Sequence, residues 1–320
     1  MAAGEPIANF QPHDASSSIA LKPVAVIYFT GHGSHSEDYA DAIKNMILQA
    51  KRELNLTISD YPLQNEAELA TTIDHIADGD TGFIIVLEPH DIPALIKIPS
   101  LYPDIHFSVI GVAQPLYLIN VNSMIFKEQE GTFISGVIAA LQSTSGTISF
   151  ISKEDVPYTR NLAYAYFQGA KYINPNIQVV QQLGGRSLLG NTGIAKQQVI
   201  SSKNADIAFV QDDELLDAAL RTAKEQKQRI IAATPHLLNN PNILTGLQRH
   251  YDFALYTVLR NYAHHSWAPV TENIGLDNSY IDYVVDAKNR DLFSKDTIER
   301  IERTKDLVSQ GIITIAPLSP

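Results

Sequence analysis

The 320-residue sequence predicts an α/β protein of two doubly wound lobes, each a parallel sheet with helices on both faces and with a cleft between them. Three observations carry that expectation. Short apolar runs such as Val24–Phe29 and Phe83–Leu87 are continuous rather than alternating, as in strands covered on both sides. They alternate with stretches at helical spacing, the rhythm of βαβ units. At roughly 150 residues per domain, the length allows two separate cores.

Taken in order, Val24–Phe29 is the first strand, and Ser36 to Glu53 follows with Tyr39, Ile43 and Ile47 at helical spacing. Leu56–Ser59 and Phe83–Leu87 are further strands, with a helix over Glu66–Ala77 between them. Asp91 is placed to cap a short helix carrying Pro93 in its first turn, where the missing N–H costs nothing. His106–Val112 reads as a fourth strand.

The pattern restarts after Asn120 with a helix from about Phe126 to Gln142, then strand Thr147–Ile151 and helix Val156–Tyr172, closed by Asn174-Pro175. Strand Ile177–Leu183, helix Thr192–Ser202, strand Asp206–Gln211, helix Asp213–Lys227 and strand Arg229–Ala233 complete a second array. The last third supplies Ile243–Leu247, a helix near Tyr251–His264, a strand Tyr280–Val285 and a helix Asp296–Gln310. These leftover elements complete both arrays, so the chain crosses between lobes more than once. Two such lobes place a cleft at the carboxyl ends of both sheets, suited to hinge closure on a small ligand.

Composition narrows the functions available. The chain carries 24 Lys+Arg against 35 Asp+Glu, a net charge of −11, which argues against a nucleic-acid partner. Apolar runs such as Ile134–Leu141 fall far short of the ~20 residues of a membrane span, which predicts a soluble chain. With no cysteine, there is no disulfide, thiolate metal site or cysteine nucleophile. No feature calls for a cofactor. Residues 1–21, with Pro6, Pro12 and Ser16 to Ser18, read as a flexible leader.

Candidate ligand-binding residues follow the strand ends. Gly31-His32-Gly33-Ser34-His35 lies between the first strand and the first helix, where free backbone N–H groups can meet a polar head group. Glu88, Arg186, Thr234 and His236 each follow a strand, and Asp212 stands at the rim before a helix. The acidic run Asp212-Asp213-Glu214 also suits that helix's N-terminus without any ligand. Ser34, His35 and Asp38 lack the Gly-x-Ser-x-Gly elbow of a hydrolase, so the expectation is a non-enzyme. Adjacent His264 and His265 point in different directions and read as a solvated helix end. Tyr158, Tyr164, Phe167 and Tyr172 recur along one helix and read as core.

The middle of the chain resembles a known family. Tyr102-Pro103-Asp104-Ile105-His106-Phe107, then Asn120-Val121-Asn122-Ser123 with Phe126, then Glu130-Gly131-Thr132-Phe133-Ile134-Ser135-Gly136-Val137 run in the order of its signatures. Phe167-Gln168-Gly169-Ala170-Lys171, Ala205-Asp206-Ile207, Leu244-Thr245-Gly246, Gly275-Leu276 and the closing Gly311-Ile312-Ile313 continue the match over about 22–317. These blocks are similar to those of the basic membrane protein family, solute-binding proteins of ABC transporters that include purine-nucleoside receptors.

The resemblance implies a type I periplasmic-binding-protein fold with a hinge, one lobe over 22–118 plus 239–270 and the other over 119–234 plus 275–320. It implies a small-molecule ligand, an ABC permease as partner, and a monomer. It also implies export, periplasmic or lipid-anchored at the cell surface, with the signal segment absent from this chain. The family's nucleoside contacts do not carry over. Its Asp after the fourth strand corresponds to Gly111, a second Asp to Thr234, and its Lys to Gln248, while the stacking Phe is missing after the first strand. Losing such partners leaves a nucleoside poorly satisfied, at roughly 1–3 kcal/mol per unpaired group. His32, Ser34, His35, Glu88, Gln114, Arg186, Asp212, Thr234, His236 and Gln248 are the candidate contacts, for a nucleoside-like or another polar solute, the remaining alternative for the pocket being a vestigial one. The alternative is a ligand sensor of the same fold that acts through a protein partner.

Overall fold

The computed structural model describes residues 21–30, 37–184, 204–235 and 238–318. The expected leader, the loop with His32, Ser34 and His35, the expected helix Thr192–Ser202, and Arg186 and His236 lie outside the described residues.

Two six-stranded sheets form the two lobes. The first contains β1 (Val24–Phe29), β2 (Ile58–Leu63), β3 (Phe83–Leu87), β4 (His106–Ile110), β5 (Val121–Phe126) and β11 (Thr271–Ile274), in the order β11-β5-β4-β3-β1-β2. All of its pairings are parallel. The second contains β6 (Thr147–Ser152), β7 (Gln178–Leu183), β8 (Ile207–Val210), β9 (Arg229–Ala232), β10 (Ile243–Arg249) and β12 (Ile281–Tyr283), in the order β12-β10-β9-β8-β6-β7. Among the described residues, the edge strand β12 alone runs antiparallel in this sheet, against β10.

The continuous apolar strands have the predicted cause. On β1, Val24, Val26 and Tyr28 face one side, where α1 (Glu37–Leu54) and α7 (Tyr251–Ala263) bring Ile43, Ile47, Leu255 and Leu259. Ala25, Ile27 and Phe29 face the other, against Leu69 and Ile73 of α2 (Leu69–Ala77) and Leu95 and Ile98 of α3 (Ile92–Leu101). Asp91 caps α3 as expected, its Oδ1 accepting from Ala94 N at 3.0 Å.

The second sheet is built the same way. Phe150, Phe209 and Ile231 face α4 (Glu128–Gln142), α5 (Pro157–Ile173) and α8 (Lys295–Ser309). Val210, Ile230 and Ala232 face Leu215, Leu216 and Ala219 of α6 (Asp213–Gln226). Helices α4 and α5 cross so closely that a Cβ at Gly136 would run into the Tyr166 carbonyl, and one at Gly169 into the Phe133 carbonyl.

Several expectations differ from the structure. Val121–Phe126, read as leading into the second array, is a strand paired with β4 of the first sheet. Ile243–Arg249, assigned with 239–270 to the first lobe, pairs with β9 of the second sheet. The sheets thus divide the chain after Phe126 and after Arg249, not at 118 and 234. Tyr158 and Tyr172 are exposed, and the buried face of α5 is Leu162, Ala163, Ala165, Tyr166, Gly169 and Ala170. Small residues occupy that face because α4 lies against it, so the bulky aromatics are displaced outward.

Candidate functional site: a cleft over a braced hinge

Among the described residues the chain passes between the lobes three times: at Lys127 after β5, at His250 after β10, and over 275–280 between β11 and β12. The crossings are tied to each other. Arg249, the last residue of β10, grips Glu128 at the start of α4 through two hydrogen bonds, Nε to Oε1 and Nη2 to Oε2, both 2.6 Å. Its Nη1 donates to the Ala233 carbonyl at 2.9 Å, so the whole guanidinium fork is engaged. The pair is 15% and 17% exposed. Burial works against the Arg249 charge, but Glu128 more than offsets it and the guanidinium stays firmly protonated. The third crossing is fastened by Glu130, which accepts from Leu276 N at 2.9 Å, and by Lys127 Nζ, 3.1 Å from Asp277 Oδ1.

Above this hinge lies a cavity of about 420 Å³, the size of a small-molecule site. The first lobe and α7 supply Tyr39, Glu88, Tyr251 and Asp252; the second lobe supplies Thr234, Gln248, Asp286 and Lys288. It opens at the carboxyl ends of strands from both sheets, where doubly wound folds bind ligands.

Glu88 directly follows β3. Its N–H continues the ladder to the Ile110 carbonyl at 2.7 Å, and its φ of 52° is left-handed, a costly conformation for a side chain this size. Tyr39 and Tyr251 meet edge to face at 5.5 Å, and Phe126 backs Tyr251 at 4.9 Å. Both phenols are pushed well above their usual range, first by burial and next by the negative charge of Glu88. Room for Tyr251 comes from Gly111, at φ 85°, where a Cβ would lie 2.7 Å from Cε1 and 2.9 Å from the hydroxyl oxygen.

Of the sequence-derived candidates, the structure brings Glu88, Thr234 and Gln248 to the cavity wall. Thr234 Oγ1 donates to Asp213 Oδ1 at 2.8 Å, and Gln248 Nε2 donates to the Arg249 carbonyl at 3.0 Å. Gln114 is elsewhere. It is exposed on the β4–β5 loop and is not among the residues that line the cavity. Asp212 is also away from the cavity wall, because its carboxylate accepts from Lys153 N at 2.7 Å. Burial is the main cause of the raised Asp212 pKa.

Sequence reasoning passed over Tyr39, Tyr251, Asp252 and Asp286. Tyr39 and Tyr251 sit at helical spacing on apolar faces and are indistinguishable in sequence from core. Among the described residues, no group of three or more His, Asp or Glu could hold a metal ion, and no helix is long and apolar enough to cross a membrane.

Comparison with known proteins gives the lineage. The chain is 28% identical over 163 residues to basic membrane protein B of Borrelia garinii subsp. bavariensis, covering 48% of each. It spans about half the length or less of the curated relatives it matches. In fold it is similar to an ABC transporter solute-binding protein of Aeropyrum pernix K1, with a TM-score of 0.68 at 17% identity over 93% of this chain and 94% of that one. It is also similar to a transcriptional activator of the comK gene from Bacillus halodurans, with a TM-score of 0.73 at 15% identity over 92% and 100%. At these identities the structural likenesses establish the fold alone, that of periplasmic-type solute-binding proteins. The sequence model described as ABC transporter substrate-binding protein PnrA-like matches residues 29–316, nearly the whole chain, and the protein belongs to that family, Bmp.

Proposed function

We propose that this protein is the solute-capturing component of an ABC importer, exported from the cytoplasm, which closes its two lobes on a small polar molecule and presents it to a permease. The observation that carries this reading is the 420 Å³ cavity walled by both lobes over three tied crossings. A ligand touching both walls favours the closed state by its differential affinity, which is what a capture protein requires. The role is binding without turnover.

The solute we propose is not a purine nucleoside. By the family resemblance, Gly111, Thr234 and Gln248 correspond to two Asp and a Lys of nucleoside receptors, and Thr234 Oγ1 donates to Asp213. Glu88, Thr234 and Gln248 are the proposed contacts.

A thermal-shift screen of nucleosides, sugars, amino acids and amines tests the reading. A solute at 100 times its Kd adds about 2.7 kcal/mol of stability, and the expected result is a saturable shift with one class, without chemical change in the solute. No shift with any class contradicts solute capture. A sensor would also bind a solute; it differs in retaining a soluble protein partner rather than a permease on affinity purification from membranes.

A further inference from the structure

We infer that lobe closure turns on two single-residue pivots, Lys127 and His250, each held between a clamp on the first lobe and a clamp on the second. This rests on the solute-capture reading and names the residues that carry its motion.

The clamps follow from where the neighbours of each pivot go. Phe126 precedes Lys127 and Tyr251 follows His250, and their rings meet at 4.9 Å within the first lobe's core. Glu128 follows Lys127 and Arg249 precedes His250, and these two form the doubly bonded ion pair on the second lobe, anchored further on the Ala233 carbonyl. The two crossings are therefore fastened to each other one residue to either side of the pivots. A packed aromatic pair and a bidentate ion pair both resist deformation. A change of backbone angle falls on the residue left between them.

The two pivots share one local geometry. Lys127 has φ −77° and ψ 69°, and His250 has φ −88° and ψ 72°, both close to an inverse γ-turn rather than to strand or helix. Each donates its N–H to one end of the third crossing, Lys127 to the Ile274 carbonyl at 2.8 Å and His250 to the Tyr280 carbonyl at 2.9 Å.

That third crossing divides at the same level. Leu276 packs in the second lobe's core, and Tyr280 in the first, where its hydroxyl lies 3.0 Å from Thr257 Oγ1. Between them Asn278 and Ser279 are both left-handed, at φ 65° and 59°, outside the angles of strand or right-handed helix. Three short segments thus separate two braced bodies.

Spin labels on Ala67→Cys and Glu154→Cys, one on each lobe of a chain without cysteine, read the spread of lobe separations by pulsed electron–electron distance measurement. Lys127→Gly and His250→Gly free the pivots and are expected to broaden that spread in the unliganded protein. Gln129→Gly, at an exposed position just beyond the second-lobe clamp, frees the backbone equally and is expected to leave the spread unchanged. Arg249→Met/Glu128→Gln, which opens that clamp while keeping most of the stability, is also expected to broaden it. A spread as narrow as the parent's in both pivot variants, or one widened as much by Gln129→Gly, overturns the pivots. If the pivot variants do not fold, the clamp variant decides, and an unchanged spread there overturns the inference. None of these readings needs a solute. A blank thermal-shift screen therefore contradicts capture alone, and unchanged spreads beside a saturable shift contradict the pivots alone.

Discussion

The ring of Tyr251 occupies the space that a side chain at residue 111 would need: a Cβ on Gly111 would stand 2.7 Å from its Cε1. One residue lies at the end of β4 and the other begins α7, so the contact links the first sheet to the helix entered after the second crossing. Gly111→Ala is expected to destabilise the protein by at least ~1–2 kcal/mol from its φ of 85° alone, with the ring contact in addition. Gly111→Ala in a Tyr251→Phe background is expected to fare no better, because the nearest atom is ring carbon rather than hydroxyl. Urea unfolding of the three variants checks this. Full stability of Gly111→Ala would show that Tyr251 does not need that space.

The Arg249–Glu128 pair braces two crossings with little solvent to relieve either charge. Arg249→Met leaves Glu128 buried and unpaired and is expected to cost about 3–5 kcal/mol, whereas the double variant Arg249→Met/Glu128→Gln recovers most of that loss. A double-mutant cycle by denaturant titration reads the coupling. Additive losses would mean that the two side chains act separately.

Acid stability is tied to Asp206. Burial opposes its charge, but it accepts from Ser143 Oγ (2.7 Å), Thr144 N (2.6 Å), Thr144 Oγ1 (2.9 Å) and Ser145 N (2.8 Å), and together these hold its carboxyl below the usual carboxylate range. The unfolded chain therefore takes up the proton at higher pH than the folded one. The stabilisation is complete above the ordinary value of 3.8 and is lost as pH falls through the lower folded value. Asp206→Asn should be less stable at neutral pH and show a shallower decline below about pH 4 than the parent. Parallel pH slopes for the two proteins would remove Asp206 from the account.

The crossing of α4 on α5 leaves no room for a methyl group at Gly136 or Gly169, since each added Cβ meets carbonyl backbone of the opposite helix. Either Gly→Ala change is expected to lower the melting temperature markedly despite alanine's better helix propensity of about 1 kcal/mol. Calorimetry checks the sign. Stabilisation by either alanine would mean that the helices stand further apart.

The fold was legible in sequence wherever strands were continuous and apolar: β1 and β3 have the bounds that their residues suggest. The strands that escaped are those where burial is achieved with polar groups. In β5, Asn122 and Ser123 are buried, and Asn122 Nδ2 bonds the Val270 carbonyl at 3.1 Å and Glu272 Oε1 at 2.9 Å, so two polar residues interrupt an otherwise apolar run. β11, Thr-Glu-Asn-Ile, is a short edge strand with even less signal. Missing β5 set the first boundary at 118 rather than after Phe126, and the second error came from giving β10, itself legible as a strand, to the wrong sheet. At the site, strand-end logic reached Glu88, Thr234 and Gln248. It had no means of finding Tyr251, whose role depends on a glycine 140 positions earlier by subtraction of their numbers.

Lobe closure on a solute is the central claim, and the absence of cysteine makes it directly measurable, since Ala67→Cys and Glu154→Cys place one spin label on each lobe and nowhere else. Both positions are exposed and follow strands that end at the cleft. Pulsed electron–electron distance measurement should show the separation shorten and narrow when the protein is saturated with a solute that raises its melting temperature. A distance distribution that stays the same with such a solute bound would contradict capture by closure.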